Sequence, residues 1–408
     1  MMSIVCGAIL FCLVSACCVN GYSILVVFPH PGKSHVDVFL PITKALAEKG
    51  HRVTVIGHFP LSRPMPNYED VSLKNESVHF VEALNVGYID PSSRLVRYFM
   101  PTFLNYMGTT SCEAGMESKE FQQFMQQHNR HRFDLMIMEM FSTDCFLGLA
   151  DIFNVPVVGL SSCTLMPWNS DRFANPIDTG YIPNNLLALS DRMSFLERVE
   201  NTVVTTLHRF YYNYVRSSND RSIAEKYLGE KGSNLDNAIK RSSLMLVNTH
   251  FSLNLPRPFV PNVVEVGGVH IGESKPLPEH LENWISESTH GVIYMSLGSL
   301  LKGHTLPKEK REAIQQAFSR LPQRIIWKWE NDTMEGQPKN VMLQKWAPQF
   351  DILRSPGRGM DCQEMYLLGM CVLAHLRLAL TNFPVHNLFT AAAVLWYLGS
   401  PGLASSVT

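Results

Sequence analysis

Net charge and charged runs are scarce in this sequence of 408 residues. Lys and Arg number 35 and Asp and Glu number 36, so the formal net charge is -1, and no Lys/Arg-rich run departs from this balance. Nucleic-acid-binding surfaces are strongly basic, so no nucleic-acid partner is expected. Hydrophobic residues make up 46% of the chain and charged residues 17%, which excludes global disorder. A chain of this length is predicted to form two domains.

Closely spaced cysteine pairs are also absent. Of the nine cysteines, four lie within the first 20 residues, and the others form no CxxC pair, so neither a zinc site nor another metal site is expected. The remaining odd number leaves at least one thiol without a partner in the chain. These cysteines are Cys112, Cys145, Cys163, Cys362 and Cys371.

The late part of the chain lacks a hydrophobic run long enough to span a membrane. The longest run, residues 388–398, is shorter than the ~20 residues that a spanning helix needs. The apolar stretch 4–19 instead predicts a signal peptide over residues 1–21, with a buried element or an uncleaved anchor as alternatives. Glycosylation sequons at Asn75 and Asn331 fit a chain in the secretory pathway, either lumenal or secreted.

Short apolar runs alternate with segments of helical spacing. Residues 23–28 and 52–57 are predicted strands, and residues 38–49 between them have the spacing of a helix that Gly50 ends. This order implies a right-handed crossover and a doubly wound α/β domain. Further strands are predicted at 134–138, 156–160, 244–248, 291–296, 324–328 and 341–343.

Composition also suggests where the domains meet. Three prolines between Leu255 and Pro261 predict a stiff linker without helix, and residues 162–184 are polar and turn-rich, as in a substrate-facing loop. Residues 191–230 have helical spacing with an apolar stripe, predicted to pack on another helix or to form a ligand wall. The predicted parts are a signal peptide 1–21, a first domain 22–254, a linker 255–276, a second domain 277–353 and a tail 354–408.

A series of motifs in fixed order carries a family resemblance. In chain order these motifs are Phe28-Pro29 with Ser34-His35, Lys49-Gly50-His51-Arg52-Val53-Thr54-Val55, Phe133-Asp134 with Thr143-Asp144-Cys145, Met166-Pro167-Trp168, Tyr181-Ile182-Pro183-Asn184, Tyr294-Met295-Ser296-Leu297-Gly298-Ser299 and Lys345-Trp346-Ala347-Pro348-Gln349. Over roughly residues 1–353 the chain resembles the UDP-glycosyltransferase family, the UDP-glucuronosyl and UDP-glucosyltransferases, and most of all its insect-type members. The resemblance implies a GT-B-like fold, in which two doubly wound Rossmann-like domains face a cleft. It makes residues 22–254 the acceptor-binding domain, residues 277–353 a partial UDP-sugar-binding domain and residues 354–408 an atypical tail.

The same resemblance assigns the catalytic base to His35. This residue follows the first predicted strand, where ligands meet the carboxyl ends of parallel strands, and an imidazole suits removal of an acceptor proton at neutral pH. A carboxylate should orient the ring. Glu139 and Asp144 are equal candidates, although Asp144 is also suited to capping a helix and Glu139 to an ordinary loop position.

The donor site is predicted on the second domain. Gly298 and Ser299 resemble the family's diphosphate contact, Trp346 resembles the residue that stacks on uracil, and Gln349 resembles the residue that reaches the nucleoside. Lys328 occupies a position where a polar residue lines the base pocket. The resemblance implies a UDP-sugar co-substrate, UDP-glucose foremost, a small lipophilic acceptor and no other cofactor.

After Leu353 the sequence departs from the family. The Gly- and His-rich loop that grips the diphosphate, the ribose-binding Glu and the sugar-binding Asp-Gln pair are not found in residues 354–408, and neither is a terminal membrane helix. We therefore expect a hexosyltransferase whose activity in this form is impaired. The alternative is a non-catalytic form that binds lipophiles, or that pairs with full-length relatives in homo- or hetero-oligomers and lowers their activity.

Overall fold

The computed structural model of the protein describes residues 21–74, 84–85, 94–298 and 301–355. The predicted signal peptide up to residue 20, Ser299 and the tail from residue 356 onward lie outside these ranges.

The strands of the described ranges belong to three sheets. They are β1 Ser23–Phe28, β2 Arg52–Gly57, β3 Tyr68–Ser72, β4 Leu84–Asn85, β5 Leu135–Glu139, β6 Val157–Ser161, β7 Ser242–Val247, β8 Val263–Glu265, β9 Val292–Met295, β10 Leu301–Lys302, β11 Arg324–Lys328 and β12 Val341–Gln344. The largest sheet has the order β3-β2-β1-β5-β6-β7-β8, a second has the order β12-β11-β9, and β4 pairs with β10. All of these pairings are parallel.

Helices lie in most of the connections between parallel strands, but the connections from β2 to β3 and from β11 to β12 contain none. The α-helices are Lys33–Glu48, Arg94–Tyr98, Met100–Met116, Lys119–Gln126, Leu149–Phe153, Pro167–Arg172, Phe195–Phe210, Ser217–Ser233, Leu235–Lys240, Phe251–Asn254, Glu279–Ser286, Lys308–Ser319 and Gln349–Arg354. Short 3-10 helices span His128–Arg130, Cys145–Gly148 and Gly303–Thr305, and Tyr211–Arg216 forms a π-helical segment.

Strand β1 shows why the first sheet is continuously apolar. Successive side chains of a strand point to opposite faces. Leu25 and Val27 accordingly enter the core on one face, whereas Ile24, Val26 and Phe28 enter the core on the other. Because helices cover both faces, every position must be apolar. This central strand carries the loop that leads to the predicted base.

The second sheet has its own core. Trp327 on β11 is fully buried and meets Phe318 of the helix Lys308–Ser319 edge to face, with ring centroids 5.4 Å apart. Residues of β9 and β12, including Met295 and Val341, complete this cluster. The α/β class with two parallel sheets, predicted from sequence, is confirmed.

Two local predictions differ from the structure. The segment 255–276 is not a linker throughout, because it contains β8, which pairs with β7 at the edge of the first sheet. Phe259 and Val260 also pack against the core of that sheet. The prolines before Pro261 do prevent a helix, but they do not prevent a short edge strand directly after them.

The second difference concerns residues 191–230. The helix Phe195–Phe210 buries Asn201, Thr205 and His208, whereas its apolar stripe is between 44% and 70% exposed in the described structure. Packing on another helix is therefore wrong for these exposed residues, which are Phe195, Val199, Val203, Leu207 and Phe210. The predicted stripe also included Tyr211 and Tyr212. For Tyr212 the prediction is confirmed, because this residue is buried and its ring stacks on Trp168 of the helix Pro167–Arg172.

The described residues contain one disulfide and one free cysteine. Cys112 and Cys145 are joined by a disulfide, and among the described cysteines Cys163 is free. Within the described ranges no helix combines the length and apolar character that crossing a membrane requires.

Candidate functional site

His35 lies in the first turn of the helix that follows β1. Its backbone N–H donates to Gly32 O over 3.1 Å. A Cβ at position 32 would come within 2.8 Å of His30 Cδ2 and 3.0 Å of His35 Cδ2, so only glycine lets the two imidazoles approach this closely. The turn therefore sets the position of His35 at the carboxyl end of the central strand.

Glu139 is the carboxylate that lies beside this histidine. It is the last residue of β5, which pairs with β1. Its Oε1 lies 2.6 Å from Nδ1 of His35. The Glu139 side chain is fully buried, whereas that of His35 is 19% exposed. A neutral imidazole that donates from Nδ1 to this carboxylate keeps Nε2 unprotonated, as a general base requires.

Two aromatic rings and a serine enclose the imidazole of His35. Phe141 meets it edge to face at 4.6 Å, and the His30 ring lies 4.3 Å away. Ser162 Oγ lies 2.7 Å from His35 Nδ1, the same atom that Glu139 contacts. Burial, with smaller contributions from His35 and His58, holds the pKa of His30 well below its usual range. His30 is therefore neutral at pH 7 and adds no positive charge beside His35.

Asp144, the other candidate carboxylate, is held in a separate buried cluster. Both of its oxygens accept from Arg172, with 2.9 Å between Nη1 and Oδ1. Its backbone N–H donates to Asp220 Oδ2 over 2.6 Å. Burial works to lower the pKa of Arg172, but the carboxylate of Asp144 and further neighbours raise it above its ordinary value. Asp144 therefore sits in a structural ion pair, and Glu139 occupies the place beside His35.

The donor-side residues gather at the carboxyl ends of β9 and β12. Gly298 follows β9 with φ +84°, a left-handed conformation that favours glycine. Ser299, predicted as its partner, lies outside the described residues. Trp346 follows β12 and is 54% exposed. Gln349 begins the helix that ends the described chain, and its backbone N–H donates to Ala347 O over 2.8 Å.

Lys328 links the donor-side tryptophan to a buried ion pair. Its Nζ lies 5.9 Å from the centre of the Trp346 ring and 3.1 Å from Glu330 Oε1, and Lys328 is only 5% exposed. Burial works to raise the pKa of Glu330, but hydrogen bonds from His304, Gly303 and Lys328 lower it. A fixed ammonium group therefore stands beside an exposed aromatic ring, which suits a planar polar ligand.

Sequence reasoning did not single out several of these residues. His30, Phe141 and Ser162 each follow a predicted strand, and that position is the one signal that could have found them. Glu330 likewise follows the predicted strand 324–328, whereas His304 follows no predicted strand, so their contact could not be predicted from the sequence.

The comparisons with known proteins identify the family of the chain. The sequence model for UDP-glucoronosyl and UDP-glucosyl transferase matches residues 23–359, most of the chain. The protein is a member of this family. UDP-glycosyltransferase UGT5 of Dactylopius coccus is 34% identical over 85% of this chain and 66% of its own length. UDP-glucosyltransferase 2 of the same organism is 35% identical over 82% of this chain and 64% of its own length.

More distant members of this transferase family match the same part of the chain. UDP-glucuronosyltransferase 1A1 of Mus musculus is 29% identical over 81% of this chain and 63% of its own length. The chain thus spans slightly less than two thirds of these relatives. The solved structure of CalG4, the calicheamicin glycosyltransferase, is 14% identical and covers 95% of this chain and 97% of that chain, with a TM-score of 0.48. That score is too low to bear on fold or function.

Proposed function

We propose that this transferase-family chain moves a hexose, glucose in the first instance, from a UDP-sugar to the hydroxyl of a small lipophilic acceptor. The pairing of His35 with Glu139 at the ends of β1 and β5 carries this proposal. A partly exposed imidazole that contacts a fully buried carboxylate is the arrangement that general-base catalysis needs. Membership of the family supplies the donor class.

The proposed reaction needs one proton transfer and one displacement. The acceptor hydroxyl gives its proton to Nε2 of His35, its oxygen forms a bond to the anomeric carbon, and the bond from that carbon to the UDP oxygen breaks. Attack opposite to the leaving group inverts the anomeric centre. Glu139 accepts from Nδ1–H throughout and stabilises the imidazolium. No cofactor beyond the UDP-sugar enters this scheme.

Residues after Ser161 contribute to a small cavity. Its volume is about 40 Å³, and residues before β8 complete its walls. The walls include Leu165, Ile177, Ile182 and Phe259, with Arg257 among them. This volume is smaller than the ~300–1,000 Å³ of a small-molecule site, and neither His35 nor Glu139 is among the lining residues. The lipophilic class of acceptor compounds is therefore proposed from the family resemblance. Conjugation of such compounds would serve their detoxification.

Activity of the His35→Ala variant tests this function. The variant is made in a chimera that carries the donor half of a relative after Leu353, and transfer from UDP-glucose to a panel of phenols is measured by chromatography. Loss of the base should lower kcat at least about 100-fold, the low end for general-base removal. Exposed His290, replaced by Gln, serves as the control. Unchanged kcat in His35→Ala would contradict the role of the base.

A second candidate function rests on the sequence after Leu353. The family match ends at residue 359, and the donor loop of the family is not found in residues 354–408. We infer weak donor binding by this chain, which would then act by holding lipophiles or by pairing with full-length relatives. Calorimetry of the chain as given should show no saturable UDP-glucose binding below millimolar concentration. Micromolar affinity would exclude this candidate.

The same proposal places the chain in the lumen of the secretory pathway. Asn331 of the second sequon is exposed, as glycosylation requires. Expression in insect cells followed by endoglycosidase treatment tests this placement, and a shift in mobility that Asn331→Gln reduces is expected. A mature chain that still begins at Met1 would contradict the predicted signal peptide.

A further inference from the structure

Nδ1 of His35 has two oxygen partners at nearly equal distance. Glu139 Oε1 lies 2.6 Å away and Ser162 Oγ lies 2.7 Å away. An imidazole nitrogen carries either one hydrogen or one lone pair, so the two oxygens must share a single hydrogen-bonding group. The position of that single hydrogen decides whether His35 can act as a base.

The contact with Glu139 favours the tautomer of His35 that carries its hydrogen on Nδ1. An ionised carboxylate only accepts hydrogen bonds, and this one is fully buried, so it requires a hydrogen on Nδ1. Without that hydrogen, the lone pairs of Nδ1 and Oε1 would face each other at 2.6 Å. With the hydrogen on Nδ1, the oxygen of Ser162 is its second acceptor.

Backbone contacts fix the position of Ser162. It follows β6, the neighbour of β5 in the sheet. Its carbonyl oxygen accepts from Asn248 Nδ2 over 2.9 Å, and the Asn248 backbone N–H donates to Ser161 O over 2.9 Å. Asn248, which follows β7, therefore fixes the backbone of Ser162 beside the imidazole of His35.

We propose that Ser162 is a positioning residue that shares the Nδ1 hydrogen with Glu139 and so keeps Nε2 of His35 unprotonated. The inference rests on the proposed function, because it assigns Ser162 to the base of that reaction. Two acceptors on one N–H also restrict rotation of the ring about its bond to Cβ. Ser162 lies in the same segment as Leu165, which lines the small cavity described above.

Nitrogen and proton NMR of the full chain tests the proposal without turnover. Histidine is labelled with ¹⁵N, and the Nδ1–H signal of His35 is assigned by its loss in His35→Ala. In Ser162→Ala this signal should shift, and its exchange with water should become about 2- to 10-fold faster, the factor expected for one hydrogen bond. Ser162→Thr keeps the hydroxyl and should restore the slower exchange.

Ser161→Ala is the matched control, because the Ser161 hydroxyl donates to Thr164 O in the neighbouring position. Its Nδ1–H signal should match that of the unaltered chain. An unchanged signal in Ser162→Ala, or a hydrogen found on Nε2 of the unaltered chain at neutral pH, would overturn the proposal. If Ser162→Ala alters the signal while His35→Ala leaves transfer intact, the positioning role stands and the proposed function fails.

Discussion

Glu139 Oε1 lies 2.6 Å from Nδ1 of His35 at the meeting point of β5 and β1. The other carboxylate oxygen, Oε2, is buried and has no hydrogen-bond partner among the described residues. A buried carboxylate with a single strong donor depends on that donor, because burial penalises an unpaired charge. His35 and Glu139 therefore work as one unit, and a change in either alters the proton that both share.

The first prediction concerns Glu139→Gln. Glutamine keeps the shape but removes the charge that stabilises the imidazolium, so kcat for phenol glucosylation in the donor-complete chimera should fall by about 10²- to 10⁴-fold. Glu113→Gln is the matched control, because Glu113 forms an exposed pair with Lys226. Steady-state kinetics measures both variants. A kcat within twofold of the parent in Glu139→Gln would remove Glu139 from the mechanism.

The second prediction concerns Asp144→Ala and is about stability. Asp144 accepts from Arg172, whose side chain is 6% exposed. Removing one partner of a buried pair leaves the other charge uncompensated and costs about 3–5 kcal/mol. Denaturant unfolding should show this loss, whereas Asp236→Ala, which breaks the exposed pair with Arg221, should cost about 0–1 kcal/mol. A loss below about 1 kcal/mol in Asp144→Ala would contradict the structural role.

Spacing alone could not choose between Glu139 and Asp144. Both follow the same predicted strand, and that strand leads toward the same sheet edge. The deciding partner of Asp144 is Arg172, which follows another strand, and its approach depends on tertiary packing. The sequence therefore predicted that a carboxylate would lie near His35, but it could not predict which one.

The helix Phe195–Phe210 shows a second limit. Helical spacing correctly predicted that its apolar residues share one face, but spacing does not tell what lies against that face. The structure buries the polar face, where Asn201 Nδ2 donates to the backbone oxygens of Thr179 and Ile182. The strands of the first sheet were easier to predict, because a strand covered on both faces must be continuously apolar.

The third prediction concerns pH and His58. Burial lowers the pKa of His58 from 6.5 to about 4. The unfolded chain then binds more protons than the folded chain between these values, so stability falls as pH drops from about 6.5 toward 4. The loss attributable to His58 is about 3 kcal/mol. Chemical denaturation at stepped pH should show a shallower dependence in His58→Gln, whereas exposed His290→Gln should follow the parent.

That comparison has a clear negative outcome. If the slopes of the His58→Gln variant and of the parent chain coincide between pH 6.5 and 4, the proton uptake on unfolding belongs to other groups. His30 is the foremost of these, since burial also lowers its pKa.

The fourth prediction concerns the disulfide between Cys112 and Cys145. Both residues are fully buried and are separated by 33 positions. Closing a loop of this length restricts the unfolded chain and should contribute about 3–4 kcal/mol. The double variant with Ala at both positions should therefore lose about this much in denaturant unfolding. Cys163→Ala, which removes the free thiol, is the control. Equal midpoints for the parent under oxidising and reducing conditions would show that the bond contributes nothing.

The fifth prediction concerns Trp346 on the donor side. Trp346 is 54% exposed, and Lys328 Nζ lies 5.9 Å from its ring centre. Stacking of a nucleobase on an aromatic side chain is worth about 1–3 kcal/mol by alanine substitution. Trp346→Ala should therefore weaken UDP binding by about 10- to 100-fold in the donor-complete chimera, and Trp346→Phe should weaken it less.

Calorimetric titration with UDP measures these affinities for Trp346→Ala and Trp346→Phe. Tyr214→Ala removes an aromatic ring that is 71% exposed, and it should leave UDP affinity unchanged. Lys328→Met keeps the aliphatic length but removes the ammonium group. It should weaken UDP binding even under conditions where the variant remains folded. If Trp346→Ala binds UDP as tightly as the parent chimera, the exposed ring does not contact the base. The donor half-site would then have to be sought elsewhere around Gly298 and Gln349.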